Sequence, residues 1–379
     1  MIYDIAIIGA GASGLMLSSL IKNKKIILLE ANDKIGKKIK ISGGGKCNIT
    51  NSHINSHNYL INNELFIKNI LNNFTNEDLL KFLNKNNVYP KIDERLVKGT
   101  YFCDSSSLII SMFYKLISHI NLQLNQVVID VSYKNEFIIN TNKNIFKSKK
   151  VIIASGGLSY TNLGASCIAF DIAKKFGHTI KTLNPALVGF TVQKEQFWFK
   201  LLSGLSLKVE IKIGKKIFNG GFLFTHKGCS GPVILNSSLY WSKGDIQIDF
   251  IPNIKNISNL FNSHKFISSS FNLPKRFIIE FLKSINLEDK AMNKLTIDEK
   301  KRLSIIKKYK FSPAGNFGYK KAEVTKGGIN TYEIDDNMQS KLKKNLYFIG
   351  ECLDITGELG GYNFQSAFSS AFVCSKDLI

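Results

Sequence analysis

No pair among the six cysteines (47, 103, 167, 229, 352 and 374) stands in a CxxC motif or at any other short spacing. That excludes a zinc ribbon and a disulfide framework, and points to reduced thiols in a cytoplasm. Long apolar runs are also missing. Nothing approaches the roughly 18 residues needed to cross a bilayer, so no membrane association is expected. The opening, "MIYDIAIIGAGASG", lacks the basic segment and small-residue cleavage site of a secretory signal. Acidic residues are scarce, 29 against 51 lysines and arginines, for a net charge of +22. Such a balance raises the question of a nucleic-acid partner. Lysine dominates over arginine, however, and lysines are dispersed through polar stretches such as 34–40, 143–150 and 341–344. The reading is a solvated surface with no nucleic-acid partner, and an RNA-associated protein is the alternative that base- or structure-selective binding would support. There is no internal repeat.

At 379 residues the chain exceeds the size at which one core usually keeps growing, so two or three domains are expected. Hydrophobic residues at 44% and charged residues at 21% are ordinary for a globular protein. "YDIAII" (3–8) is an apolar run suited to a buried parallel strand. A glycine turn follows, then a helical face carrying Leu15, Leu17, Leu20 and Ile21, and a second strand, "KIILLE", ending at Glu30. Helices are predicted over 64–73, 76–86, 106–119 and 165–177, and strands over 126–131, 136–140 and 151–154. Beyond about 180 the pattern becomes antiparallel, with strands at 186–192, 206–213, 216–224 and 245–251 separated by turns such as "IGKK" and "FNGG". Residues 275–308 have helical spacing. A strand returns at 345–350, and a last helix begins near 363. The organisation is a doubly wound α/β domain interrupted by strands and then helices.

Three motifs carry chemistry. Gly9-Ala10-Gly11-Ala12-Ser13-Gly14 is a GxGxxG that follows a strand and opens a helix, with Glu30 about twenty residues on. That is the context of a dinucleotide fingerprint: Gly9 for the tight turn, Gly11 for approach of a pyrophosphate, Gly14 for helix–strand packing, Glu30 for ribose hydroxyls. It does not separate FAD from NAD. "SGGGKCNIT" (42–50) is the second. It fails as a Walker A loop, because Lys40 and Cys47 stand at positions that need Gly and Ser/Thr. A metal cluster of Cys47, His53 and His57 lacks a fourth ligand, so no metal is expected. A redox role for Cys47 would need a resolving partner at short spacing, and none exists. A glycine cradle for a flat ligand remains, edged by Ser42, Lys46 and Asn48. The third motif, "YFIGECLDITGELGGYNFQSAFSSA" (347–371), places Gly360-Gly361-Tyr362-Asn363 at a helix start, where dipole and free amides favour negative charge. Between them, "KKVIIASGGLSY" runs a strand into Gly156-Gly157. "GCSGP" (228–232) brushes against a nucleophile elbow, but Pro232 breaks the pattern and no His/Asp partnership is visible. His226 reads as a structural polar residue.

With these blocks, and with "GKKIKISGGGKCNITN", "NPALVGF", "LFTHKGCSGPVIL" and "AEVTKGGI", the chain resembles, from end to end, the bacterial NAD(P)/FAD-dependent oxidoreductase family. That family is one of uncharacterised flavoproteins, with bile-acid-reductase-like and aminoacetone-oxidase-like members. The resemblance implies a Rossmann-like FAD-binding domain in two segments, 1–180 and 321–379, with a β-rich insert over 181–255 and a helical insert over 256–320. It implies that Gly9, Gly11, Gly14 and Glu30 hold the ADP moiety, with Val128 meeting the adenine through its backbone and Ala12, Ser13 and Ala31 also binding the cofactor. Ser42, Gly43, Gly44, Gly45, Lys46, Cys47 and Asn48 would lie near the isoalloxazine with Thr325, Gly327 and Gly328, and Lys38 would also contact the cofactor. Gly156 and Gly157 would cross the cofactor, Gly350, Glu351 and Asp354 would follow the ribityl and pyrophosphate, and Gly360, Gly361, Tyr362 and Asn363 would meet the pyrimidine edge. Two departures stand out: Thr161-Asn162-Leu163-Gly164 replaces the family's usual Pro and Thr-Gly after "GGLSY", and Cys229 replaces Leu.

The implied function is an FAD-dependent oxidoreductase passing a hydride through flavin N5, linked to NADH or NADPH as a transient donor and reducing a small organic substrate. A second GxGxxG is absent, so no dedicated nicotinamide domain is expected. The alternatives are an oxygen-using amine-type oxidase and an RNA-associated flavoprotein. No catalytic side chain is singled out.

Overall fold

In the computed structural model, residues 1–92 and 97–379 are described. They divide into two compact units, residues 1–185 with 322–379, and residues 186–321.

The first unit is built on a mostly parallel sheet. Strand β1 (Ile2–Ile8) is buried along most of its length, as its unbroken apolar run requires, and leads through the glycine turn into α1 (Ala12–Leu20) and β2 (Ile26–Leu29). β1 lies between β2 and the long strand Ile145–Ile153, parallel to both. Asn121–Gln123 extends the sheet beyond β2, and Leu346–Phe348 pairs parallel with the far half of Ile145–Ile153. An antiparallel hairpin, Val128–Lys134 with Glu136–Thr141, continues from the near half. The chain therefore winds outward from β1 in both directions, and in such sheets ligands bind outside the carboxyl ends of the strands where the order reverses. Gly9, Glu30, Gly156 and Gly350 follow the carboxyl ends of those strands. The C-terminal helix Tyr362–Ser375 is almost wholly buried, and its Phe368 stacks on Phe113 with ring centres 6.1 Å apart.

The second unit has its own core. Seven antiparallel strands run in the order Tyr309–Phe311, Ile246–Asp249, Ser206–Ile213, Lys216–Thr225, Gly228–Ser230, Phe190–Val192 and Pro313–Asn316, forming a barrel-like sheet. Its interior is unusually aromatic. Trp198, Phe199, Phe224, Phe277, Phe281 and Tyr309 pack ring against ring, and the Trp198 indole donates to the Tyr309 hydroxyl at 3.1 Å. Burying so many rings secures the unit, since each removes roughly 150–250 Å² from water. The helix Lys275–Ser284 closes one side with Phe277, Ile278, Phe281 and Leu282 facing inward.

Most elements stand where hydrophobic periodicity put them: the helix over 64–73 and the strand over 206–213 match residue for residue. Two do not. The strand expected over 186–192 is broken, because Leu187 adopts φ +49° and only Phe190–Val192 continues. The helix Pro232–Tyr240 was not expected; Gly228, Gly231 and Pro232 mask its start.

Candidate functional site

The first turn separates two uses of glycine. Gly9 has φ +106°, and a Cβ there would lie 2.6 Å from the Ala154 carbonyl oxygen; at Gly14 it would lie 1.9 Å from the Gly9 carbonyl oxygen. These two are demanded by the chain's own packing. Gly11 is different. A Cβ there meets nothing within 4 Å, and Gly11 caps α1 with no side chain bonded to the first-turn amides. Ala12 and Ser13 follow in that first turn, and the Ser13 hydroxyl fills the space against Gly350. Backbone donors thus face a space no protein atom fills, the geometry that suits a pyrophosphate.

Glu30 lies beside this turn, 7% exposed. Its carboxylate accepts from the Ala10 amide at 2.8 Å and from both the amide and side chain of Asn32, at 2.9 and 2.7 Å. A carboxylate has about four acceptor sites, so one remains on Oε2 for a ribose hydroxyl. Asn32 also donates to the Leu163 carbonyl at 3.0 Å, tying the loop 161–164 to Glu30. Ala31 sits half-buried between them. Gln126 donates its amide to the Glu30 carbonyl, and Val128 opens the next strand two residues on, paired with Thr141.

At the carboxyl end of Ile145–Ile153, Gly156 also faces open space, while Gly157 packs against Thr325 Oγ1 and Glu351. Here a polar network forms. The Lys38 ammonium, on α2 (Lys37–Ile41), reaches Glu351 at 2.5 Å and Ser159 Oγ at 2.7 Å. Glu351 accepts in addition from Ser159 Oγ at 2.7 Å and the Thr325 amide at 2.9 Å. Thr325 Oγ1 in turn accepts the Leu158 and Ser159 amides. Four segments distant in sequence are locked together by one lysine and one carboxylate. Next to it, burial pushes the Glu323 carboxyl above its usual range against the pull of Lys38, and burial with Glu323 nearby raises the Tyr160 phenol. Gly327 packs against the Thr182 carbonyl and Gly328 against Leu353. Asp354 donates its amide to the Ile329 carbonyl. Its carboxyl is raised by burial, opposed by Lys181 and Lys326, and the Lys326 ammonium is lowered by burial.

The Ser42–Gly45 turn presents Gly44 and Gly45 to open space, while Gly43 packs on the Asn48 side chain. Lys46 is exposed, with its ammonium 5.3 Å from the Phe102 ring centre. Cys47 is fully buried, and desolvation pushes its thiol up to about 12, so it is no nucleophile. The strand β3 (Asn48–Asn51) pairs antiparallel with Thr100–Phe102, which sets Cys103 beside Cys47; its thiol is likewise pushed up, to about 11. The spacing of 56 residues hid that neighbour from sequence reasoning. Asn51 donates to the Gly360 carbonyl at 3.0 Å, Tyr59 to that of Tyr362 at 2.9 Å, and Asn363 exchanges two bonds with Gly357. Gly361, the cap of the C-terminal helix, lies against the Thr50 carbonyl at φ +96°, with no side chain on the first-turn amides. Among the described residues, Ser155 Oγ and Thr356 Oγ1 are buried hydroxyls without a partner in the chain. Open space at Gly11, Gly44, Gly45 and Gly156, two uncapped helix starts and two orphaned hydroxyls together fit a dinucleotide carrying a flat ring system. No cluster of three or more metal-ligating side chains occurs among the described residues.

Sequence reasoning missed Asn32, Ser159, Tyr160 and Glu323 as members of this arrangement. Ser159, Tyr160 and Glu323 were inside quoted motifs, and their polar character amid glycines was the available signal.

Fold and site together define a Rossmann-type, FAD-dependent oxidoreductase. A family model described as the HI0933-like protein Rossmann domain matches residues 3–377, and the chain belongs to that family. It is 34% identical over 396 residues to a protein of Escherichia coli (strain K12) named ribosomal RNA dihydrouridine synthase, covering 100% of this chain and 98% of the relative. The Haemophilus influenzae protein of the same name is 35% identical over 395 residues, covering 98% and 97%. A 3-dehydro-bile acid delta(4,6)-reductase of Clostridium scindens is 26% identical, covering 98% of each.

Proposed function

We propose that the protein saturates the C5–C6 double bond of uridine in a structured RNA, with a reduced nicotinamide as electron donor. The observation that carries the reading is full-length identity of 34 and 35% to two proteins named for that conversion in ribosomal RNA. The more distant relative also bears the name of a carbon–carbon double-bond reductase. Ene reduction is therefore common to all three names, and uracil, whose C5–C6 bond is conjugated to the C4 carbonyl, is the acceptor favoured by the closer pair. Bound at the site, FAD would supply the hydride.

The chain's own residues do the rest. The first-turn amides of α1 and the C-terminal helix hold negative charge. The Lys38–Glu351–Ser159–Thr325 network fixes the segments 158–159, 325 and 351 relative to one another. Glu323, whose carboxyl is raised by burial against the pull of Lys38 and which lies near Tyr160, is assigned as the proton source for the carbon next to the one that takes hydride. A small-molecule ene reductase is the second reading, favoured by the bile-acid relative.

Anaerobic stopped-flow separates them. The oxidised yellow protein is bleached with NADH or NADPH, then mixed with bacterial ribosomal RNA or a 3-oxo-4,6-diene steroid. Rapid return of colour with RNA alone supports the proposal, and return with the steroid alone supports the second reading. A flavin that neither nicotinamide bleaches removes the electron donor from both.

A further inference from the structure

The positive charge is not spread evenly. Residues 186–321 hold 23 lysines and arginines against 9 acidic residues, a net +14, while the larger unit holds 28 against 20, a net +8. Within the smaller unit one surface combines that charge with exposed apolar side chains. The segment Lys194–Leu201 is anchored from beneath by Trp198, whose ring lies 5.9 Å from Phe277 and 6.1 Å from Phe281 of the helix Lys275–Ser284. The anchor turns Phe197 and Leu201 outward, 46% and 59% exposed. The Lys200 ammonium sits 3.6 Å from the Phe197 ring centre. Arg276 donates to the Leu201 carbonyl and joins segment to helix. Along the outer face of that helix the stripe continues through Ile279 to Lys283. Glu195 is an exposed acid in the same segment, and Glu280 is paired with Lys283. Lys194, Lys200, Lys275 and Arg276 have no acidic partner among the described residues.

We infer that this stripe is a docking surface for the sugar-phosphate backbone of a structured RNA, with Phe197 beside it as a platform for an unpaired base. Cations flanking an exposed ring are what single-stranded and looped nucleic acid binds, through phosphate contacts and stacking. A surface lysine needs no ring, and an exposed Phe197 and Leu201 fixed on a rigid aromatic base gain nothing from water. Charge complementarity selects a polyanion, and the uridine-reducing reading, on which this inference rests, selects RNA.

The test uses the full chain with FAD. The variants are Lys194→Glu/Lys200→Glu/Arg276→Glu, Phe197→Ala, and a control of equal charge change on the other unit, Lys134→Glu/Lys143→Glu/Lys344→Glu. Affinity for purified bacterial ribosomal RNA and for duplex DNA is measured across a salt series, with flavin content and thermal midpoint as checks of folding. The stripe variant is expected to lose about tenfold or more in RNA affinity and to flatten the salt slope by about 2 to 3, roughly one per phosphate contact removed. Phe197→Ala should lose affinity with the slope unchanged, and Lys200→Gln gives a milder check should the triple variant misfold. Stripe and control variants losing equally would overturn the inference, as would duplex DNA bound as tightly as RNA. Dihydrouridine formation is scored separately. Stripe-dependent binding without any reduction sinks the uridine reading and leaves the surface; reduction indifferent to the stripe does the reverse.

Discussion

At the scale of single residues, the glycines of the first turn make opposite predictions. Gly11→Val adds a side chain into open space, where the proposed pyrophosphate would lie, at an ordinary φ of −84°. The protein should fold with an unchanged apo thermal midpoint, yet bind FAD about tenfold or more weakly, as titration of flavin fluorescence would show. Full flavin occupancy would remove Gly11 from the cofactor's path. Gly14→Ala forces a methyl to within 1.9 Å of the Gly9 carbonyl oxygen and should destabilise the fold by about 3 kcal/mol or more, with or without flavin. Glu323 carries a pH signature. Its folded pKa lies above its ordinary value, so its contribution to stability is complete in acid and is lost as pH rises through the folded value. Glu323→Gln should therefore gain in thermal midpoint relative to the parent as pH rises above the ordinary carboxylate range, by calorimetry. It should also cut the rate of substrate reduction by about 100-fold or more while leaving flavin bleaching by the nicotinamide intact. Equal loss in both half-reactions would give Glu323 a structural role instead.

At the scale of elements, what the sequence could show depended on the range of the interactions. The βαβ unit was legible because its signals are local: an apolar run, a glycine turn, a helical face and a carboxylate within 30 residues. So were the hairpin strands and the helices with clear apolar stripes. The pairing of two distant strands was not. Ile180–Ala186 pairs with Val324–Ile329 across about 140 residues, and neither segment announces the other. The Asn330 amide bonds to the Thr179 carbonyl and Gly327 lies against Thr182, so the two strands run antiparallel and residues 185 and 324 come out opposite each other. The site was legible in the same uneven way. Gly9–Gly14 and Glu30 could be argued from spacing, and "SGGGKCN" from elimination. The Lys38–Glu351 pair could not, since it joins residues 313 apart through a contact that exists only after folding. Cys47 and Cys103 come together for the same reason.

For the whole molecule, two separate cores imply separable stability. Replacing residues 187–321 with a Gly-Ser linker of about four residues should leave a chain that still takes up FAD, as absorbance of the purified protein would show. Loss of all flavin binding would mean that the second unit is needed to build the cofactor site. The charge is uneven, with the proposed cofactor motifs in the less charged unit and +14 carried by the other. The lysines that read as mere solvated surface in sequence were judged on stretches belonging to the larger unit, where that reading is reasonable. The central claim is the reduction of uridine in RNA. Ribosomal RNA lacking dihydrouridine, incubated without oxygen with the FAD-loaded protein and NADH or NADPH, should gain two hydrogens at defined uridines by mass spectrometry, and Gly11→Val should abolish the gain. A yellow protein whose flavin is reduced by the nicotinamide but which leaves every uridine unsaturated would contradict the account.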